Sequence, residues 1–134
     1  MPVEIWQQKN KFLTFHIICI YIIVRYRMGK TIISADGRFE WDEDKSRINK
    51  DLHGLYFDEI LPAFDDPYLL EMYDETHSTL KEARFRGLAE LQDFIILYLS
   101  YTEPASGRMR IISVRLAEPI EEREYYEWRK NFTT

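Results

Sequence analysis

The sequence predicts an α+β domain, and three features carry that reading. Two helix-like stretches come early, a run of strand-like stretches follows, and one more helix closes the chain. Elements segregated in this way build an antiparallel sheet with helices set against it. A chain of 134 residues can bury one real core and is too short for two ordinary domains. Its hydrophobic content of 46% places it among globular chains, not disordered ones.

The elements follow in order. Residues Arg38 to Trp41 read as a short strand. Asp42 suits a helix N-cap, with Glu43 and Asp44 in the first turn, where the helix dipole favours acids. That helix runs to about His53, with Ile48 and Leu52 four apart on one face, and Gly54 suits a left-handed C-terminal cap. A second short helix is expected over Phe57 to Phe64. Pro62 is awkward there because it removes a backbone donor, and Asp65-Asp66-Pro67 ends it.

Strands are expected over Tyr68 to Tyr73, Ala83 to Leu88, Phe94 to Tyr101 and Arg108 to Ala117. The second alternates, placing Ala83, Phe85 and Gly87 on one side and Arg84 and Arg86 on the other. The third is almost continuously apolar, as a strand covered on both faces would be. Residues 103–107 form a turn. Pro119 suits the first position of the last helix, which offers Ile120, Tyr125 and Trp128 as apolar surface.

Charge divides the chain. Residues 1–35 hold five basic residues against Glu4, while the remainder holds 13 basic and 22 acidic ones. An acidic body disfavours general binding along a nucleic-acid backbone, so contact with RNA must come from a local patch. The lone Cys19 excludes an internal disulfide and fits a reducing cytoplasm. His16, His53 and His77 lack the spacing of a helical metal pair, so neither a metal site nor a cofactor is expected. The apolar run Phe12 to Val24 is shorter than the roughly 20 residues of a spanning helix. It has the length of a signal-peptide core, yet Arg25-Tyr26-Arg27 follows in place of a small-residue cleavage site. Residues 1–37 are therefore read as an N-terminal extension, with Met28 as a candidate natural start, and 38–134 as the domain.

An ordered set of short motifs then stands out. Phe39-Glu40-Trp41-Asp42, Lys45, Asn49 and His53-Gly54 resemble the opening of BrnT toxins, as do Phe57, Glu59 and Phe64-Asp65-Asp66-Pro67. His77, Glu82-Ala83-Arg84-Phe85 and Gly87 resemble that family's middle motif. Arg110-Ile111-Ile112-Ser113, Arg115 and Ala117 resemble its late strand, and Glu122 and Tyr125 its last helix. The resemblance covers about residues 38–128. It implies a RelE-like fold: a curved antiparallel sheet with helices against one face, two of them N-terminal and one C-terminal. It also implies a cytoplasmic toxin of a type II toxin–antitoxin pair that cuts RNA without a metal and inhibits translation. Its partner would be a BrnA-like ribbon-helix-helix antitoxin, through which alone it would reach promoter DNA.

Cleavage of RNA at its own 2′-hydroxyl needs a base for the hydroxyl proton, donors for the crowded phosphate and an acid for the leaving 5′-oxygen. Arginine suits the phosphate, and His or Tyr the proton transfers. A sheet face with Arg84 and Arg110 would hold the phosphate, with His77, His53 or Tyr125 reaching in. The resemblance adds Arg115 and Ser113 as RNA-binding residues. Without it, Arg84 suits an exposed ion pair, His53 a helix C-terminus, His77 a polar turn, Tyr125 the core and Ser113 a backbone contact. Arg110 and Arg115 also have opposite parity along a strand, so sharing a face requires a bulge or a strand end. Leu52 and Leu116 stand where the family commonly carries basic residues. Two other readings follow: a chain that binds its antitoxin without cutting RNA, and a membrane-associated chain that uses Phe12 to Val24.

Overall fold

The computed structural model describes residues 29–133. The run Phe12 to Val24 and the candidate start Met28 lie outside the described residues. Six strands form one sheet: β1 Thr31–Ile33, β2 Phe39–Asp42, β3 Leu70–Tyr73, β4 Arg84–Glu90, β5 Ile96–Thr102 and β6 Met109–Leu116. Helix α1 is Glu43–His53, a 3-10 helix spans Asp58–Asp65, and α2 is Pro119–Lys130. The strand order is β1-β2-β6-β5-β4-β3. β1 falls within the stretch read as an extension, and it pairs with β2 as an edge strand.

The sheet is mixed, which corrects the expectation of a purely antiparallel one. β2 and β6 run parallel, with Phe39 beside Met109 and Glu40 beside Arg110. Parallel neighbours need a long crossover, and here it is the whole segment from α1 through β5. The other pairs are antiparallel. The helices also flank both faces instead of one. Phe57, just before the 3-10 helix, and Ile60 and Ala63 within it are buried with Phe39, Trp41, Leu97, Leu99, Tyr101 and Ile111. α2 buries Tyr125 on the opposite face, with Leu88 and Ile96.

Local chemistry explains α1. The Asp42 side chain accepts from the Lys45 backbone N–H at 2.9 Å, and Gly54 closes the helix at φ 77°, donating to Lys50 O. Its buried residues are polar, however. Asn49 Oδ1 accepts from the Val114 N–H at 3.0 Å, and Ser46 Oγ accepts from the Phe57 N–H at 2.9 Å. β2 pairs with only the first two residues of β6, so α1 satisfies backbone farther along that edge. Ile48 is half-buried and Leu52 exposed, so the expected apolar face does not carry the docking. In the expected second helix, Pro62 sits inside a 3-10 segment. The strand expected from Phe94 begins at Ile96, because Asp93 and Phe94 adopt φ 44° and 67° in a two-residue hairpin turn.

Candidate active site

Cross-strand register builds the site row by row. Arg84 on β4 lies opposite Thr102 on β5, which lies opposite Arg110 on β6, which lies beside Glu40 on β2. The next row is Arg86, Ser100 and Ser113, and the next is Leu88, Tyr98 and Arg115. The pairing of β5 and β6 shifts between Ser100 and Tyr101, where β6 fits Ile112 as an extra residue. That bulge resets the alternation, so Arg110 and Arg115 emerge on the same face despite their opposite parity.

A pocket of about 330 Å³ opens on this face. Arg84, Arg86, Tyr98, Ser100 and Ser113 line it from the strands, and Asp74, Thr76 and His77 from the turn after β3. His77 Nδ1 lies 2.8 Å from Asp74 Oδ2, and the Asp74 side chain is only 8% exposed. Burial pushes the Asp74 carboxyl up. Hydrogen bonds from the His77 ring and backbone, with the charges of His77 and Arg86, outweigh that and hold it below its ordinary value. Arg86 Nη1 donates to Tyr98 Oη at 3.4 Å.

Three polar atoms of this region are buried without a hydrogen-bond partner among the described residues: Nε of Arg84, Nε of Arg86 and Oγ1 of Thr102. Buried donors are normally satisfied, and leaving one unmade costs about 1–3 kcal/mol. Two guanidinium groups on adjacent rows of one face, both lining the pocket, suit an anion. Lys45 adds to the positive character nearby. Burial lowers its ammonium pKa most, Arg110 next and Arg84 less, partly offset by Asp42 and Glu82.

The expected site residues do not all converge. Arg84, His77 and Ser113 line the pocket. Arg110 shares the face but is bound to Glu40 Oε2 at 3.0 Å, while Ser106 Oγ donates to Glu40 Oε1. Arg115 is held by Glu121 of α2 through two hydrogen bonds. Tyr125 is fully buried and donates to Asp66 Oδ2 at 2.7 Å, and burial first, then that carboxylate, pushes its hydroxyl pKa well up. His53 is exposed at the end of α1 and does not line the pocket. Asp74, Arg86, Tyr98 and Ser100 were not singled out as site residues from the sequence. The signal for Asp74 was its place three residues before His77, and that for Arg86 its shared parity with Arg84. Among the described residues no three His, Cys, Asp or Glu side chains group as metal ligands. No described helix is long and apolar enough to cross a membrane.

Fold and face thus define a small α+β domain that presents an arginine-lined, histidine-bearing pocket on a mixed sheet. The sequence model described as ribonuclease toxin, BrnT, of a type II toxin-antitoxin system matches residues 41–121, more than half of the chain. The chain belongs to the BrnT family of ribonuclease toxins of type II toxin–antitoxin systems. It is similar to the crystal structure of the Brucella abortus ribonuclease toxin, BrnT. The two share 24% identity with a TM-score of 0.45, covering 58% of this chain and 92% of that one. No curated protein matches the chain.

Proposed function

We propose that this chain is a metal-independent endoribonuclease with a RelE-like fold that inhibits translation by cutting RNA at the phosphate held by Arg84 and Arg86. The carrying observation is the convergence of the Arg84 and Arg86 guanidinium groups on one pocket with His77 and Tyr98. They are donors organised before any substrate arrives, as stabilisation of a crowded, charged phosphate requires. His77 takes the 2′-hydroxyl proton. The 2′-oxygen then bonds to phosphorus, and the bond to the 5′-oxygen breaks. Tyr98, whose hydroxyl accepts from Arg86 in the same pocket, gives its own phenolic proton to the leaving oxygen, and His77 sheds its extra proton as Tyr98 regains one through solvent. The products are a 2′,3′-cyclic phosphate and a free 5′-hydroxyl. Two guanidinium groups supply the charge that a metal ion would otherwise bring.

The departures at Leu52 and Leu116 do not take charge from this pocket. Leu116 pairs with Leu97, on the sheet face opposite Tyr98 and Arg115, and Leu52 is an exposed residue of α1. That supports an active enzyme over a chain that only binds its antitoxin. A basic ribbon-helix-helix antitoxin would complement the acidic body of this cytoplasmic chain and supply the contact to promoter DNA. The direct test is incubation of the purified full-length chain with RNA in EDTA. Cleavage is expected; intact RNA at a large excess of folded protein overturns the reading.

A further inference from the structure

We infer that Asp74 is a positioning residue for His77, fixing the imidazole in the tautomer that leaves Nε2 bare toward the pocket. The inference rests on the ribonuclease reading for its reaction, but its geometry stands separately. Asp74 begins the turn between β3 and β4 and is tied into it at both ends of its backbone. Its N–H donates to Arg84 O at 2.8 Å, and its carbonyl accepts from Ser78 N at 3.0 Å and from Ser78 Oγ. The carboxylate therefore has a fixed place, from which Oδ2 meets His77 Nδ1 at 2.8 Å and Oδ1 accepts from the His77 backbone N–H at 3.3 Å.

An ionised carboxylate can only accept hydrogen bonds. Held below its ordinary value, Asp74 is ionised at neutral pH, so the proton of the neutral ring must sit on Nδ1. Nε2 is then the atom with a free lone pair. His77 is otherwise loosely held, with its side chain 61% exposed, so without Asp74 its ring could rotate and exchange tautomers. The other charged groups lining this pocket are Arg84 and Arg86, neither of which can accept a ring proton.

The test uses the full chain labelled with 15N-histidine, with the His77 signals assigned by comparison with His77→Gln. The imidazole nitrogen shifts of the neutral ring report the tautomer. The wild type is expected to carry its proton on Nδ1; a proton on Nε2 overturns the inference without any variant. Asp74→Asn keeps the side-chain shape and is expected to give mixed tautomers. Its kcat on RNA in EDTA should fall about 100-fold, the lower end of what a positioned base supplies, with KM unchanged. An unchanged tautomer, or an unchanged kcat with a shifted tautomer, overturns the positioning role. A wild type that cuts no RNA overturns the ribonuclease reading and with it the reaction role of Asp74, while the nitrogen shifts still decide the tautomer.

Discussion

Arg115 sits over the Tyr98 ring, its guanidinium carbon 4.1 Å from the ring centroid, and Glu121 holds it there through bonds of 2.7 and 2.9 Å. The contact ties α2 to the sheet at the rim of the pocket. It gives Arg115 a structural partner on each side: an aromatic ring beneath and a carboxylate across. Tyr98 in turn accepts from Arg86. Arg115 thus links the closing helix to a side chain of the proposed phosphate site.

Glu121→Gln is expected to cost about 1 kcal/mol at pH 7, a modest value because Arg115 is a third exposed. The hydrogen bond from Arg115 holds the Glu121 carboxyl below its usual value, against a smaller upward push from burial. A depressed carboxyl contributes stability that is complete above the unfolded value, near pH 4.3, and is lost as pH falls through the lower folded value. Urea midpoints of wild type and variant should therefore differ at pH 7 and converge in stronger acid.

Arg84→Ala and Arg86→Ala should each lower RNA cleavage by about 10²–10³, the usual effect of losing one preorganised donor. Tyr98→Phe should lower kcat by about 10² or more if its hydroxyl protonates the leaving oxygen. Initial rates on a short RNA, with circular dichroism as the folding control, decide all three.

Arg110→Ala acts through a different cause. Glu40 is 10% exposed at its side chain and is paired with Arg110 at 3.0 Å, so the variant leaves a buried carboxylate short of its cation. A loss of about 2–3 kcal/mol is expected, below the value for a fully buried pair because Arg110 itself is 28% exposed. Glu40→Gln on top of Arg110→Ala should recover part of it. A double-mutant cycle in urea that gives no coupling would contradict this account of Glu40 and Arg110.

Tyr125→Phe should cost about 1–2 kcal/mol, because Asp66 Oδ2 loses one of its donors, the other being the Glu90 N–H at 2.8 Å. RNA cleavage per folded molecule should not change. A loss of turnover with unaltered stability would move Tyr125 from the core to the site.

The sequence made some of this visible and hid the rest for definable reasons. Strict alternation over Arg84 to Gly87 puts both arginines opposite Phe85, because a strand has period two. The caps of α1 were legible because Asp42 and Gly54 act within a few residues of themselves. The bulge at Ile112 carries no compositional mark, so the shared face of Arg110 and Arg115 stayed open until the register was known. The parallel pairing of β2 with β6 joins segments about 70 residues apart, which no local pattern reports. The core place of Tyr125 was legible, but Asp66, the acceptor for its hydroxyl, lies 59 positions away, and the apolar character of Phe94 concealed a turn.

Attack by the 2′-hydroxyl of RNA on a phosphate gripped by Arg84 and Arg86 would leave its mark on the chemistry of the cut ends. A short RNA is digested by the purified chain in EDTA beside a copy carrying a 2′-deoxy nucleotide at the cut position, and the fragments are weighed by mass spectrometry. Attack by the 2′-hydroxyl gives a 2′,3′-cyclic phosphate on one fragment, a 5′-hydroxyl on the other, and no cut at the deoxy position. A 5′-phosphate end, or equal cleavage of the deoxy copy, would contradict it.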